Sequence, residues 1–184
     1  MGRVIHSMSV SLDGYIAGPD GTFGWGMPTE ELHRFHNDRV REQGAHLLGR
    51  NLYETMRYWE TADQDPDAGD VERDFAQLWQ ALPKVVFSST LSEVEGNTRL
   101  ATEALAEELA RVQEETDGDI GVGGAALAGS YARLGLVDEL QLFVHPVLVG
   151  GGTPFFPPLD EQVDLELLET RTFDSRVVYL RYGR

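Results

Sequence analysis

The chain has 184 residues, 41% hydrophobic and 25% charged, the balance of an ordinary globular domain long enough to bury a core without staples. Its formal charge of −16 repels nucleic acid and anionic membrane, so neither is an expected partner, and the absence of cysteine excludes disulfides and thiolate metal sites. The opening MGRVIHSMSV lacks the apolar run of a secretory signal, and no apolar stretch is long enough to cross a bilayer; a cytoplasmic protein is expected.

Residues 3–12 read as a first strand, and the turn-rich DGYIAGPDG follows at 13–21. Periodicity predicts a helix over 29–43, with Leu32, Phe35 and Val40 on its apolar stripe and Glu30 paired outward with Arg34. His33 and His36 are read as exposed residues of that helix. AHLLG (45–49) is a buried strand, and 51–60 a short helix. Glu60, Asp63, Asp65, Asp67, Asp70, Glu72 and Asp74 mark a solvated loop that runs into the helix DFAQLWQAL. KVVFSST (84–90) is a strand, EGNTRLA a turn with a short strand, and 102–116 an amphipathic helix carrying Leu105, Leu109 and Val112 on one face. IGVGG, AALAGSYARLGL and ELQLFVHPVLV repeat strand, helix and strand; His145–Pro146 marks an edge or a bulge in the last of these. After the loop VGGGTPFFPP, LELLETRTF and RVVYLRYG form two antiparallel strands joined at Asp174–Ser175. The alternation predicts an α/β domain spanning 1–184, with a mostly parallel sheet and an antiparallel edge.

Three strands end in residues suited to phosphate. HLLG runs into Arg50 and Asn51 at a helix start, VVF runs into Ser88 and Ser89, and IGVGG opens another helix. Helix starts offer free N–H groups, and a guanidinium fork suits a phosphate. In an open α/β sheet, ligands bind at the carboxyl ends of the strands, so the three ends together favour a nucleotide with several phosphates. The competing explanation is that Gly121, Gly123 and Gly124 serve close packing of helix on sheet. A Rossmann dinucleotide site fits less well, because no acid ends the following strand, where a ribose hydroxyl would need one. Asp63-x-Asp65-x-Asp67 departs from a calcium loop at Ala68 and Asp74, and no metal site is expected.

The ordered set GRNLYE, FSST and GVGGAALAGSY resembles the dihydrofolate reductase superfamily. SMSVSLDGYIAG and VDELQLFVHPVLVGGGTPFF resemble the reductase domain of the riboflavin-biosynthesis protein RibD, and more closely its stand-alone relatives, over nearly the whole chain. The resemblance implies a three-layer fold with a mixed sheet of about eight strands, and NADPH as cofactor. It implies that Gly49, Arg50 and Asn51 hold the adenosine 2′-phosphate and pyrophosphate, and Ser88 and Ser89 the adenosine end. Gly123, Gly124, Ala125 and Ala126 would face the pyrophosphate and nicotinamide, with a cis peptide bond between the two glycines. It aligns Glu31 with the substrate-anchoring acid of dihydrofolate reductases, and Arg41 with an arginine of RibD. Trp25 falls in the mobile loop over the nicotinamide, where a lid and a plug of the core edge are both open readings. Asp13 is a turn former or a pocket residue.

The implied activity is NADPH-dependent reduction of a small heterocycle. Its substrate would be ribosylaminopyrimidine-like, as in riboflavin biosynthesis, or pterin-like. A non-catalytic nucleotide-binding or structural homodimer on the same fold is the alternative, and flavin is not excluded by any residue. A homodimer is expected because LQLFVHPVLV and the Phe155–Phe156 loop are more apolar than a free sheet edge should be.

Overall fold

In the computed structural model, which describes residues 2–159 and 161–184, the short apolar runs form the interior of one eight-stranded sheet. The strands are β1 (Val4–Ser11), β3 (Gln43–Gly49), β4 (Lys84–Phe87), β5 (Thr98–Leu100), β6 (Asp119–Gly123), β7 (Glu139–His145), β9 (Glu166–Thr172) and β10 (Val178–Gly183). Their order is β5-β4-β3-β6-β1-β7-β10-β9. Pairing is parallel from β5 through β7 and antiparallel from β7 through β10 to β9. A separate antiparallel pair joins β2 (Tyr15–Ala17) to β8 (Thr153–Pro154), which lies inside the predicted 149–158 loop.

Strands covered on both faces need apolar side chains in both directions, which explains the unalternating runs LL and VV. Leu47 and Val85 point into one core with Leu109 and Val112 of α4 (Leu105–Glu115) and Leu127 and Tyr131 of α5 (Ala125–Arg133). Leu48 and Val86 point into another with Tyr53 of α2 (Arg50–Met56) and Phe75 and Trp79 of α3 (Asp70–Ala81). A third cluster packs Leu32 and Phe35 of α1 (Glu30–Arg41) on Phe143, Phe173, Val177 and Tyr179.

Some expectations are corrected. The Glu30–Arg34 ion pair forms at 2.6 Å, but His33 is buried between Trp59 and Phe75, and the His36 ring sits 4.2 Å from that of Phe143. Both imidazoles complete apolar layers, a use that a helical wheel read without its neighbours does not reveal. The acidic stretch is only partly solvated: Glu60 pairs at 3.3 Å with Lys84, whose ammonium is fully buried and also donates to the Trp79 and Leu82 carbonyls. The strand LQLFVHPVLV is no edge. It is β7, paired with β1 on one side and β10 on the other, which removes that ground for a dimer. On that side of the sheet the outer strand is β9, whose residues are exposed apart from a half-buried Glu169.

Candidate functional site

Parallel pairing brings the carboxyl ends of β4, β3, β6, β1 and β7 to one end of the sheet in that order. At about 4.8 Å per strand, β4 and β7 end about 19 Å apart, a span that suits an extended dinucleotide beside a small second ligand.

At the β4–β3 end, Gly49 leads directly into α2, and Arg50 is exposed. Its guanidinium donates to the Thr90 hydroxyl at 3.1 Å and to the Asn51 side-chain oxygen at 3.3 Å, and it is in no ion pair among the described residues. Ser88 turns the chain after β4, its hydroxyl accepting from the N–H groups of Thr90 and Leu91 at 3.2 and 3.0 Å, while Ser89 is exposed. Arg50, Asn51 and the SST turn therefore meet, although 40 positions separate Arg50 from Thr90.

The glycines of β6 divide their work. A Cβ on Gly121 would meet the His46 ring at 2.9 Å, and one on Gly123 would strike Leu52 and come within 3.0 Å of His46. Those two positions serve packing. Gly124 lies at φ 95 and ψ 123, a conformation that side chains resist, and starts α5 with its backbone against Gly49. The expected cis bond between Gly123 and Gly124 is absent: among the described residues all peptide bonds are trans, and the positive φ of Gly124 makes the turn instead. Ala125 is buried and Ala126 exposed behind it, at a helix end whose first N–H groups have no acceptor within the helix.

At the β1–β7 end lies a cavity of about 210 Å³ between the 3₁₀ turn Gly24–Gly26, α1, the end of β7 and the β9–β10 turn. Trp25 lines it and meets the His145 ring edge-on at 5.5 Å. His145 Nε2 is 3.2 Å from Ser9 Oγ. Burial lowers the His145 pKa, and burial, then neighbouring His33 and His145, pushes His36 down to about 3, so these imidazoles are neutral. The Trp25 indole nitrogen and the Ser175 hydroxyl are both buried without a hydrogen-bond partner. Leaving such a group unsatisfied costs about 1–3 kcal/mol.

Glu31 sits at the rim and is not part of the lining. Its carboxylate accepts from Arg171 and from the Asp174 N–H, each at 3.1 Å, and so ties α1 to the turn that carries Ser175. Asp13 likewise stands beside the cavity. It accepts from Ser11 at 2.7 Å and from the Val149 and Gly150 N–H groups at 3.2 and 2.8 Å, and Ser11 above all holds its carboxyl below the usual range. Arg41 points elsewhere, bound to Asp74 and Asp38 on α3 and α1. His145 and Ser175 of the lining, and Ser9 beside His145, carry no motif that marks them in the sequence as site residues. His145–Pro146 at a strand's carboxyl end was the available signal for one of them.

An eight-stranded sheet of this order, with a polar cavity beside the ends of β1 and β7, defines the dihydrofolate reductase-like fold. The dihydrofolate reductase of Enterococcus faecalis, solved with NADP(H) and RAB-propyl, superposes with a TM-score of 0.66 at 16% identity, covering 100% of this chain and 96% of that one. A putative riboflavin biosynthesis protein from Shewanella sp. PV-4 superposes with a TM-score of 0.79 at 21% identity, covering 100% and 99%. The chain belongs to the RibD C-terminal domain family, which matches residues 3–179. Among its relatives is the uncharacterized protein YyaP of Bacillus subtilis (strain 168), 31% identical over 98% of this chain and 94% of that protein.

Proposed function

We propose that this protein is an NADPH-dependent reductase of a small heterocyclic substrate. The carrying observation is the meeting of Arg50, Asn51 and the SST turn, with Gly124 against Gly49, at the same end of the sheet as a partly polar cavity. Arg50 is exposed and in no ion pair among the described residues, so its fork is available to the 2′-phosphate of the adenosine. Gly49, Ser88 and Ser89 border the same end. Gly124, Ala125 and Ala126 present backbone to the pyrophosphate side, where a longer residue at Gly124 would be strained. When bound, the nicotinamide supplies a hydride. Trp25 closes the cavity against water, and Asp13 and Glu31 hold the loop and the hairpin that complete it. Membership of the RibD C-terminal domain family and the NADP(H)-bound relative in fold support this reading.

The test is titration of the protein with NADPH and NADH, by fluorescence and thermal shift. Arg50→Ala should weaken NADPH about tenfold or more while leaving NADH little changed, the cost of a lost charge-assisted contact to phosphate. Equal loss for both nucleotides removes the 2′-phosphate role from Arg50, and binding of neither by the unaltered protein sinks the reading.

We also infer a homodimer, with β9 as its ground. Leu167 and Leu168 are 52% and 46% exposed on this edge strand, beside exposed Leu165 and Val163. An apolar edge invites strand pairing, and a second copy related by a two-fold axis covers it. Light scattering of the unaltered protein should give twice the chain mass, and Leu167→Glu should return one chain mass.

A further inference from the structure

A second cavity, of about 130 Å³, lies on the other face of the sheet from the first. Strand β7 fixes this relation: Leu140 lines the second cavity and His145 the first, and side chains an odd number of positions apart on a regular strand point to opposite faces. The two cavities share no lining residue, and none of Arg50, Asn51, Ser88 and Gly124 borders the second. Its apolar walls are Ala128 and Ala132 of α5, Leu140, and Phe155, Leu159 and Leu165 from the segment between β8 and β9. Leu159 and Leu165 are each 40% exposed, so the outer wall is open to solvent. The volume is close to the roughly 150 Å³ of a dry apolar cavity that admits benzene, which suits one ring or a branched aliphatic group.

Charge reaches this cavity as one acid and one base. Asp138 and Arg184 both line it, both are exposed, and the Arg184 N–H donates to the Asp138 carbonyl at 3.1 Å. Their side chains form no ion pair with each other. One Asp138 carboxylate oxygen accepts from the Val4 N–H at 2.7 Å, and the other has no partner among the described residues. The Arg184 guanidinium lies over the turn at Gly135, 3.0 Å from where a Cβ would stand, with no ion pair and no side-chain hydrogen bond among the described residues. A singly charged ligand would meet its like as well as its opposite here. A zwitterion meets an opposite charge at each end, and having no net charge it is not repelled by a molecule of −16.

We propose that this second cavity binds a free apolar α-amino acid, aromatic or branched-chain, with its side chain between α5 and Phe155, its carboxylate on Arg184 and its ammonium on Asp138. Only a free amino acid carries both charges on the carbon that bears the side chain, so a peptide terminus does not meet the requirement. The proposal is independent of the reductase reading.

The experiment is calorimetric titration of the unaltered protein, without nucleotide, with phenylalanine and with leucine. Each is set beside its analogue lacking the ammonium (hydrocinnamate, isocaproate) and its analogue lacking the carboxylate (phenethylamine, isopentylamine), and glycine serves as the zwitterion without a side chain. At least one of the two amino acids should bind with a Kd of about 1 mM or below, and its single-charge analogues should bind at least about tenfold more weakly, the size of one charge-assisted contact. Glycine should not bind. Arg184→Gln and Asp138→Asn should each weaken the amino acid by about tenfold, the asparagine keeping an acceptor for the Val4 N–H. Ala132→Leu, which places a larger side chain in the lining, should abolish binding. No binding of either amino acid overturns the proposal, and so does a single-charge analogue, or glycine, that binds as tightly. An unchanged affinity in all three variants, with thermal unfolding matching the parent, overturns it as well. The ranking of probes uses the unaltered protein alone, so it decides the matter even if a variant fails to fold. Because no nucleotide is present, failure of the protein to bind NADPH would sink the reductase reading and leave this result standing.

Discussion

Arg176 is the only non-glycine residue at positive φ among those described, with φ 64, in the turn that closes β9 onto β10. Its N–H donates to the Phe173 carbonyl at 2.8 Å, so the left-handed conformation is part of the turn itself. Glycine reaches that conformation without strain. Arg176→Gly should therefore raise stability by about 0.5–1 kcal/mol in urea unfolding, with ligand binding unchanged. A loss of stability would mean that the arginine side chain holds the turn by contacts stronger than the strain. Gly123 and Gly124 make a contrasting pair. Gly123→Ala forces Leu52 and His46 to move and should cost about 1–3 kcal/mol through overpacking. Gly124→Ala meets only ordinary contacts, and its cost, about 1–2 kcal/mol, is backbone strain. A compensating Leu52→Ala change should rescue the first variant in part and the second not at all.

At the scale of elements, α4 illustrates a start that periodicity misreads. The apolar pattern extends the helix back to Thr102, yet it begins at Leu105. Glu108 explains the difference. Its fully buried carboxylate turns back to accept from the Thr102 and Glu103 N–H groups at 3.0 and 3.3 Å and pairs with Arg99 of β5 at 2.6 Å. One side chain thus caps a helix and fastens the edge strand β5 to it. Glu108→Ala should destabilise the fold by about 3 kcal/mol, since it leaves a guanidinium and two N–H groups without their acceptor. Hydrogen exchange should show the loss first in 98–108, and a uniform loss across the sheet would contradict this local role. At the opposite end of the sheet from the proposed site, Glu139 plays a comparable part, held between Arg3 and Arg181 at 2.8 and 2.7 Å.

For the whole molecule, all five histidines have lowered pKa values, in every case with burial as the leading cause. His6 and His46 fall to about 4 and His36 to about 3. Unfolded, each imidazole takes up a proton near pH 6.5, whereas the folded chain resists until far lower pH. Stability is therefore complete above that value and declines as the pH falls from about 6.5 toward 4. The carboxylates with lowered pKa values, such as Asp74 and Asp119, lose their contribution only below the ordinary carboxylate range, so they add a later phase. The urea midpoint should drop between pH 7 and pH 5, before carboxylate protonation begins. A flat midpoint over that interval would show that the histidines are not held neutral.

The order of elements, the parallel run of strands and the closing antiparallel pair were legible in the sequence, because covered strands need continuous apolar runs and amphipathic helices need a 3.6-residue stripe. The phosphate-suited strand ends at Gly49–Arg50 and Ser88–Ser89 were legible for the same reason: residues at the carboxyl ends of neighbouring parallel strands must share one end of the sheet. What tertiary structure alone decided was the use of individual side chains. That Glu31 serves the hairpin, that His33 is buried and His36 packs on Phe143, that Gly121 and Gly123 make room for His46 and Leu52, and that Trp25, His145 and Ser175 line one cavity all depend on contacts between segments far apart in the chain. Periodicity records which face of an element is covered; it carries no information about which distant residue does the covering.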